Sequence, residues 1–148
     1  MIEIRKINAS ETIFIRHSVL RVGKPIATCY FEGDDLPTTN HFGLYYKNKQ
    51  VAVISVFESK NQSFIDENQH QIRGMAVLPE YQKRGFGEQL LKHCENEIKI
   101  KNGNLIWFNA RESAIEFYKK FEYVIMGDKF EIPYVGMHYV MKKTLKYC

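Results

Sequence analysis

Between Ile72 and Leu91 the chain runs Ile-Arg-Gly-Met-Ala-Val-Leu-Pro-Glu-Tyr-Gln-Lys-Arg-Gly-Phe-Gly-Glu-Gln-Leu-Leu. Strand-forming residues give way at Pro79 to a turn, which opens through Gly85 and Gly87 into an amphipathic helix. Glycine there lets the backbone approach a ligand that a Cβ would exclude. The first amides of a helix have no intrahelical partner, and its dipole favours anions at that end. Strand, glycine loop and helix start together form a cradle for a pyrophosphate. Alone the feature is weak, because glycines before helices are common in ordinary turns. The Gly-x-x-x-x-Gly-Lys-Ser/Thr and Gly-x-Gly-x-x-Gly loops are absent, which removes the P-loop and dinucleotide readings.

Within that segment Gln82-Lys83-Arg84-Gly85-Phe86-Gly87 resembles the Gln/Arg-x-x-Gly-x-Gly/Ala signature of the GNAT (Gcn-related N-acetyltransferase) superfamily. The strand before it ends Ala76-Val77-Leu78-Pro79, as is usual in that family. Downstream, Asn109-Ala-Arg-Glu-Ser-Ala-Ile-Glu-Phe-Tyr118 resembles the family's strand-to-helix segment, whose Ala-x-x-Phe-Tyr carries a tyrosine near the CoA sulfur. Two motifs in the right order make a specific signal, and the resemblance covers nearly the whole chain. Three shorter stretches are similar to a narrower ElaA-like branch: Arg16-His-Ser-Val-Leu-Arg21, His41-Phe-Gly-Leu-Tyr45 and Phe130-Glu-Ile-Pro-Tyr-Val-Gly-Met-His-Tyr139.

The resemblance implies acetyl-CoA as co-substrate and a set of roles. The pantetheine arm would pair with the backbone of Met75, Ala76 and Val77 like an added strand. The Val77 amide would polarise the thioester carbonyl. Amides from Gln82, Lys83, Arg84, Gly85, Phe86, Gly87 and Glu88 would hold the pyrophosphate, Asn109 would touch the pantetheine, and Tyr118 would protonate the departing thiolate. Two positions depart from the family pattern. Glu88 stands where a small hydroxyl residue is frequent, and Glu122 replaces the glycine usual after Tyr-x-x-x.

Many relatives in the superfamily carry a glutamate base near the position of Arg73, and this strand offers none. Either a water chain deprotonates the amine or a residue from elsewhere does, with Glu131 and His138 as candidates. Arg73, Glu131 and His138 are therefore the acceptor-side residues. Arg16 and Arg21 join Arg73 as possible partners of an acceptor carboxylate, since guanidinium binds carboxylate in a bidentate way. Internal ion pairs with Glu131 or the Asp34/Asp35 loop are the competing expectation. His17, His41 and His138 lack metal-ligand spacing, so no metal is expected. Cys94, on an apolar helix face, is expected to be inert core.

The elements that must position these residues are legible in the hydrophobic periodicity. Ile2 and Ile4 alternate with Glu3 and Arg5 as in a short strand. Ser10 to Leu20 has helical periodicity, with Asn8 or Ser10 as N-cap and Gly23 and Pro25 beyond its end. Glu32–Asn40 is a loop. Phe42–Tyr46 and Val51–Phe57 form a hairpin around Lys47-Asn48-Lys49-Gln50. Gln71–Leu78 is a strand with a bulge marker at Gly74. Leu90, Leu91, Cys94 and Ile98 share one helical face, closed by Gly103. Leu105–Phe108 is a central strand, Ala114–Phe121 a helix with a Ser113/Glu116 capping box, and Tyr123–Lys129 and Met137–Lys143 two last strands. The order predicts an α/β (α+β) fold: a central mixed sheet with helices on both faces, one domain over residues 1–148.

At 148 residues the chain can bury one substantial core. Its charge of +4, from 21 basic and 17 acidic residues, is too mild and too scattered for nucleic acid but suits a polyphosphate ligand. Cys29, Cys94 and Cys148 are an odd number without a Cys-x-x-Cys pair, which points to a reducing compartment. No apolar run approaches the roughly 18 residues of a membrane span, so a cytoplasmic protein is expected. The expected partner is a small-molecule or peptide amine, with a homodimer left open. The leading reading is direct transfer of acetyl from acetyl-CoA to a primary amine in a ternary complex; the alternative is a non-catalytic acyl-CoA-binding module or sensor with the same fold.

Overall fold

The computed structural model describes residues 1–145; Cys148 lies outside the described residues. Seven strands and three α-helices follow in the order the periodicity predicts: β1 Ile2–Ile7, α1 Ile13–Val19, β2 Asn40–Tyr46, β3 Lys49–Glu58, β4 Gln69–Val77, α2 Phe86–Ile100, β5 Leu105–Arg111, α3 Ile115–Lys119, β6 Val124–Ile132 and β7 Gly136–Thr144. The strands hydrogen-bond in the order β1-β2-β3-β4-β5-β7-β6, a mixed sheet in which β4 and β5 run parallel. By contact the chain divides into two compact units. One comprises Met1–Glu58 and Ile72–Glu97, the other Ser59–Gln71 and the chain from Ile98 onward.

In the first unit β2 and β3 meet through a two-residue turn, not the four-residue loop expected. Tyr46 pairs with Lys49, and Lys47 and Asn48 both take positive φ (51° and 67°). Positive φ at both central residues is the backbone of a type I′ turn, whose twist matches that of paired strands. Val51–Phe57 is buried on both faces of β3. Helix α2 covers this sheet with the face formed by Leu90, Leu91 and Cys94, all fully buried, and His93 packs edge-on against Phe42 at 4.6 Å. The N-cap question at the first helix resolves to Asn8. Its side chain accepts from the Glu11 amide, and the Glu11 carboxylate accepts from the Asn8 amide, around the 3₁₀ turn Ala9–Thr12 that precedes α1.

In the second unit β5 is central, as its uncharged run predicts. Leu105, Ile106, Trp107 and Phe108 are all buried, paired with β4 from Gln69 to Gln71 and with β7 along the whole strand. The edge strand β6 shifts register between Met126 and Phe130, which interrupts a ladder that another chain could otherwise extend. Two helix ends differ from expectation. The chain enters α3 through a 3₁₀ turn at Glu112–Ala114 that contains Ser113, so no side-chain cap forms, and Glu116 lies 3.6 Å from Lys119 instead. After α2 the left-handed residue is Asn102 (φ 61°); Gly103 follows it because a Cβ there would collide with Ile98.

Helix α3 also ends in a Schellman motif. The Tyr123 amide donates to the Tyr118 carbonyl and the Glu122 amide to the Lys119 carbonyl. That motif puts Glu122 at φ 72°, where the family's glycine would be unstrained. A non-glycine residue costs roughly 1 kcal/mol there. Glu122→Gly is therefore expected to raise stability by up to about 1 kcal/mol in a denaturant titration; a loss of stability would show that the Glu122 side chain compensates its own strain.

Candidate active site

The candidate cradle, from Gly74 to the start of α2, lies in the first unit. Gly74 takes φ +67°, a bulge conformation, and a Cβ on it would lie 2.9 Å from Phe31 Cε2 and 3.3 Å from Arg16 Nε. Only glycine meets both demands. Beyond the bulge, Met75 and Val77 are half-buried and Ala76 is buried. The Leu78 amide rejoins β3 by donating to the Val51 carbonyl at 2.9 Å. Gln82 then folds back, its Nε2 donating to the Val77 carbonyl at 2.9 Å, which ties the loop to the end of the strand.

Lys83 (φ 64°) and Gly85 (φ 82°) turn the loop into α2, and a Cβ on Gly85 would meet nothing within 4 Å. The first helical bond runs from the Gln89 amide to the Gly85 carbonyl, so the amides of Phe86, Gly87 and Glu88 are left to a ligand or water. Phe86 is buried and anchors the helix start against Tyr46, 5.7 Å between rings. Glu88 threatens a phosphate less than its type suggests, because its carboxylate lies 2.8 Å from Lys92 one turn on.

Sequence reasoning missed a basic and aromatic cluster beside this loop. Arg84 lies 5.2 Å from the Tyr81 ring and 5.9 Å from that of Tyr46, while Lys47 and Lys49 stand 5.3 and 5.4 Å from Tyr46 and Tyr81 respectively. The interleaving of Tyr45-Tyr46-Lys47-Asn48-Lys49 was the signal available for it.

Arg73 precedes the bulge, and its guanidinium lies 4.6 Å from the Phe31 ring and 5.5 Å from that of Phe57. Burial, and then the positive charge of Arg16, push its pKa down. Arg16 itself leaves the acceptor-side set. It is fully buried, with Nη1 and Nη2 donating to the two carboxylate oxygens of Asp34 (2.7 and 3.1 Å), and also to the Cys29 carbonyl and Ser55 Oγ. Desolvation raises the Asp34 pKa, but the hydrogen bonds from Arg16 and the Phe31 amide outweigh it and hold the carboxyl below its usual range. His41 completes the network. Nε2 faces the Asp34 carbonyl at 2.9 Å and so carries the proton, leaving Nδ1, 2.6 Å from Ser55 Oγ, as acceptor. The internal ion pair is the outcome for Arg16.

The remaining candidates lie in the second unit. Asn109 is exposed on β5. Tyr118 is buried among Phe108, Phe117 and Tyr123, with ring centroids 4.4, 5.2 and 6.1 Å away, and burial raises its pKa. Glu131 is exposed on β6. His138 is buried on β7, and its Nδ1 donates to the Gly136 carbonyl at 2.8 Å, which leaves Nε2 as the lone-pair nitrogen of the neutral ring.

The acetyltransferase (GNAT) domain model matches residues 37–125. The chain is also 32% identical over 147 residues to the uncharacterized N-acetyltransferase YitI of Bacillus subtilis (strain 168), covering 99% of this chain and 98% of that one. The chain belongs to the GNAT acetyltransferases. Among solved structures, the ribosomal-protein-S18-alanine N-acetyltransferase from Escherichia coli superposes with a TM-score of 0.78 at 18% identity, covering 100% of this chain and 96% of that one. Escherichia coli ElaA superposes with a TM-score of 0.75 at 19% identity, covering 97% and 99%. Both establish the GNAT fold for the whole described chain.

Proposed function

We propose that this GNAT protein transfers the acetyl group of acetyl-CoA directly to a primary amine, both substrates bound together. The observation that carries the reading is the cradle: three unpartnered amides at the start of a 15-residue helix, entered through a glycine whose missing Cβ leaves open space. The pyrophosphate would sit on those amides, with Gln82, Lys83 and Arg84 around it. The pantetheine would extend along the backbone of Met75–Val77, beyond the last β5-paired residue Gln71, and the family resemblance assigns it Asn109 as a further contact. The amine lone pair attacks the thioester carbonyl, whose oxygen the Val77 amide polarises. As the C–N bond forms, the C–S bond breaks and its electron pair goes to sulfur, which takes a proton from Tyr118. The proton released by the amine passes to water or to His138 Nε2. A thioester is activated enough that no acetyl-enzyme is needed; the protein orients the two groups and moves protons.

One observation favours the non-catalytic acyl-CoA module: β4, Gln-His-Gln-Ile-Arg-Gly-Met-Ala-Val, has no carboxylate along its length. Release of free thiol from acetyl-CoA across a broad amine panel separates the two readings. No helix of the described residues is long and apolar enough to cross a membrane, and the proposal includes a cytoplasmic setting where acetyl-CoA is at hand.

Acetyl-CoA should raise the melting temperature, since a ligand that binds only the folded state stabilises it by mass action. Gly85→Val should remove that rise. A β-branched residue resists φ 82°, and its side chain projects into the space the phosphates would fill. A full ligand-induced shift in the variant would take the cradle out of the mechanism.

A further inference from the structure

Three guanidinium groups surround one ring in the first unit: Arg16, Arg73 and Arg21 lie 3.8, 4.6 and 5.7 Å from the centroid of Phe31. The carboxylates near them are Asp34, bound through both oxygens to Arg16, and Glu32, which is exposed and acts on Arg73 only through its charge. Arg16 is taken up by Asp34, whereas Arg73 forms neither a hydrogen bond nor an ion pair with any described residue. A half-buried guanidinium without a bonded anion is costly, because burial removes water and the Phe31 and Phe57 rings replace only part of its hydration. Its depressed pKa expresses the same deficit. A carboxylate supplies one negative charge and two parallel acceptor oxygens, the complement of a single guanidinium fork. The socket also has an address: Arg73 immediately precedes Gly74, and Met75–Val77 follow it on the same strand.

We infer that Arg73, stacked by Phe31 and Phe57 just before the β4 bulge, receives the carboxylate of the acceptor. The preferred substrates are then amino acids or short peptides whose carboxylate stands close to the reacting amine. This rests on the acetyltransferase reading above. The carboxylate anchors the acceptor while its amine nitrogen bonds to the acetyl carbon and the thiol of CoA leaves, so it adds binding and orientation without entering the chemistry.

Matched pairs test it: lysine against cadaverine, which differ only by the carboxylate, and alanine against alaninamide. Hydrogen bonds to charged groups contribute enough that the carboxylate member should have a kcat/KM about 10- to 100-fold higher. Arg73→Gln should collapse that ratio to within about threefold, chiefly through KM, and Arg73→Lys should restore only part of it because an ammonium cannot form the fork. The acetyl-CoA-induced rise in melting temperature, measured on each variant, shows that the fold and the cradle are intact; if Arg73→Gln fails to fold, the Arg73→Lys ratio decides. Equal or better turnover of cadaverine and alaninamide, or an unchanged ratio in the variants, overturns the inference and leaves the acetyltransferase standing. Thermal stabilisation by acetyl-CoA with no thiol release from any amine overturns both.

Discussion

Tyr118→Phe is expected to lower kcat by about 10²- to 10⁴-fold, the usual contribution of a positioned general acid, with little change in the KM for acetyl-CoA. The hydroxyl is proposed to act on negative charge that develops on sulfur only as the C–S bond breaks, and an interaction made only in the transition state appears in kcat. The surroundings of the ring keep the phenol in its protonated, donor form. Packed among Phe108, Phe117 and Tyr123, it has its pKa raised by burial. It therefore keeps its proton at any working pH and can only donate, never serve as the base that takes the amine's proton. The sign of the pH dependence follows. Rates should rise with pH as the amine and its base lose their protons, and no falling limb from Tyr118 ionisation should appear up to pH about 10, the ordinary tyrosine value. The phenylalanine ring preserves the packing, so the melting temperature should move little. A kcat loss below roughly fivefold, against the factor expected of an acid, would make Tyr118 a packing residue of α3.

The parts of this molecule that the sequence exposes are those in which one short segment carries its own geometry. Gln82 to Gly87 reads as a cradle because glycine placement, the apolar face of α2 and the strand before Pro79 are all local, and local rules suffice for them. Turn and cap details failed where two local rules competed. Ser113 and Glu116 have capping-box spacing, yet the chain arrives through a 3₁₀ turn and leaves Ser113 inside it. Lys47-Asn48-Lys49-Gln50 looked like a loop of four, yet the strands pair up to Tyr46 and Lys49. The Phe31 cluster was legible only in part. Arg16, Arg21 and Arg73 could be named as candidates, but Phe31, Ser55 and Phe57 join them from separate segments, and no periodicity links residues so far apart in the chain. Which arginine is consumed internally and which is left over is a tertiary fact.

Asp34→Asn should destabilise the protein by about 3–5 kcal/mol, the cost of breaking a buried ion pair by removing one partner. The magnitude follows from what would be left behind. Arg16 has no exposed surface, and its side chain faces Asp34 at 2.7 Å with the carboxylate itself only 4% exposed. The amide that replaces the carboxylate removes the compensating charge and offers one acceptor oxygen where three donors now converge: Nη1, Nη2 and the Phe31 amide. For a chain of this length the melting temperature should fall by roughly 6–20 °C. Replacing both partners by apolar residues, as in Arg16→Met with Asp34→Leu, should recover part of the loss because no buried charge remains unpaired. Recovery should be incomplete, since the Cys29 carbonyl, Ser55 Oγ and the Phe31 amide would all lose a partner. Acid provides an independent check. The folded Asp34 pKa lies below its ordinary value, so its contribution is whole above the unfolded pKa of about 3.9 and is lost as pH falls through the folded value. The stability difference between the native protein and Asp34→Asn should therefore be constant near neutrality and shrink below about pH 4. A difference under about 1 kcal/mol, or one that persists unchanged into acid, would mean that Arg16 is neutralised by something other than Asp34.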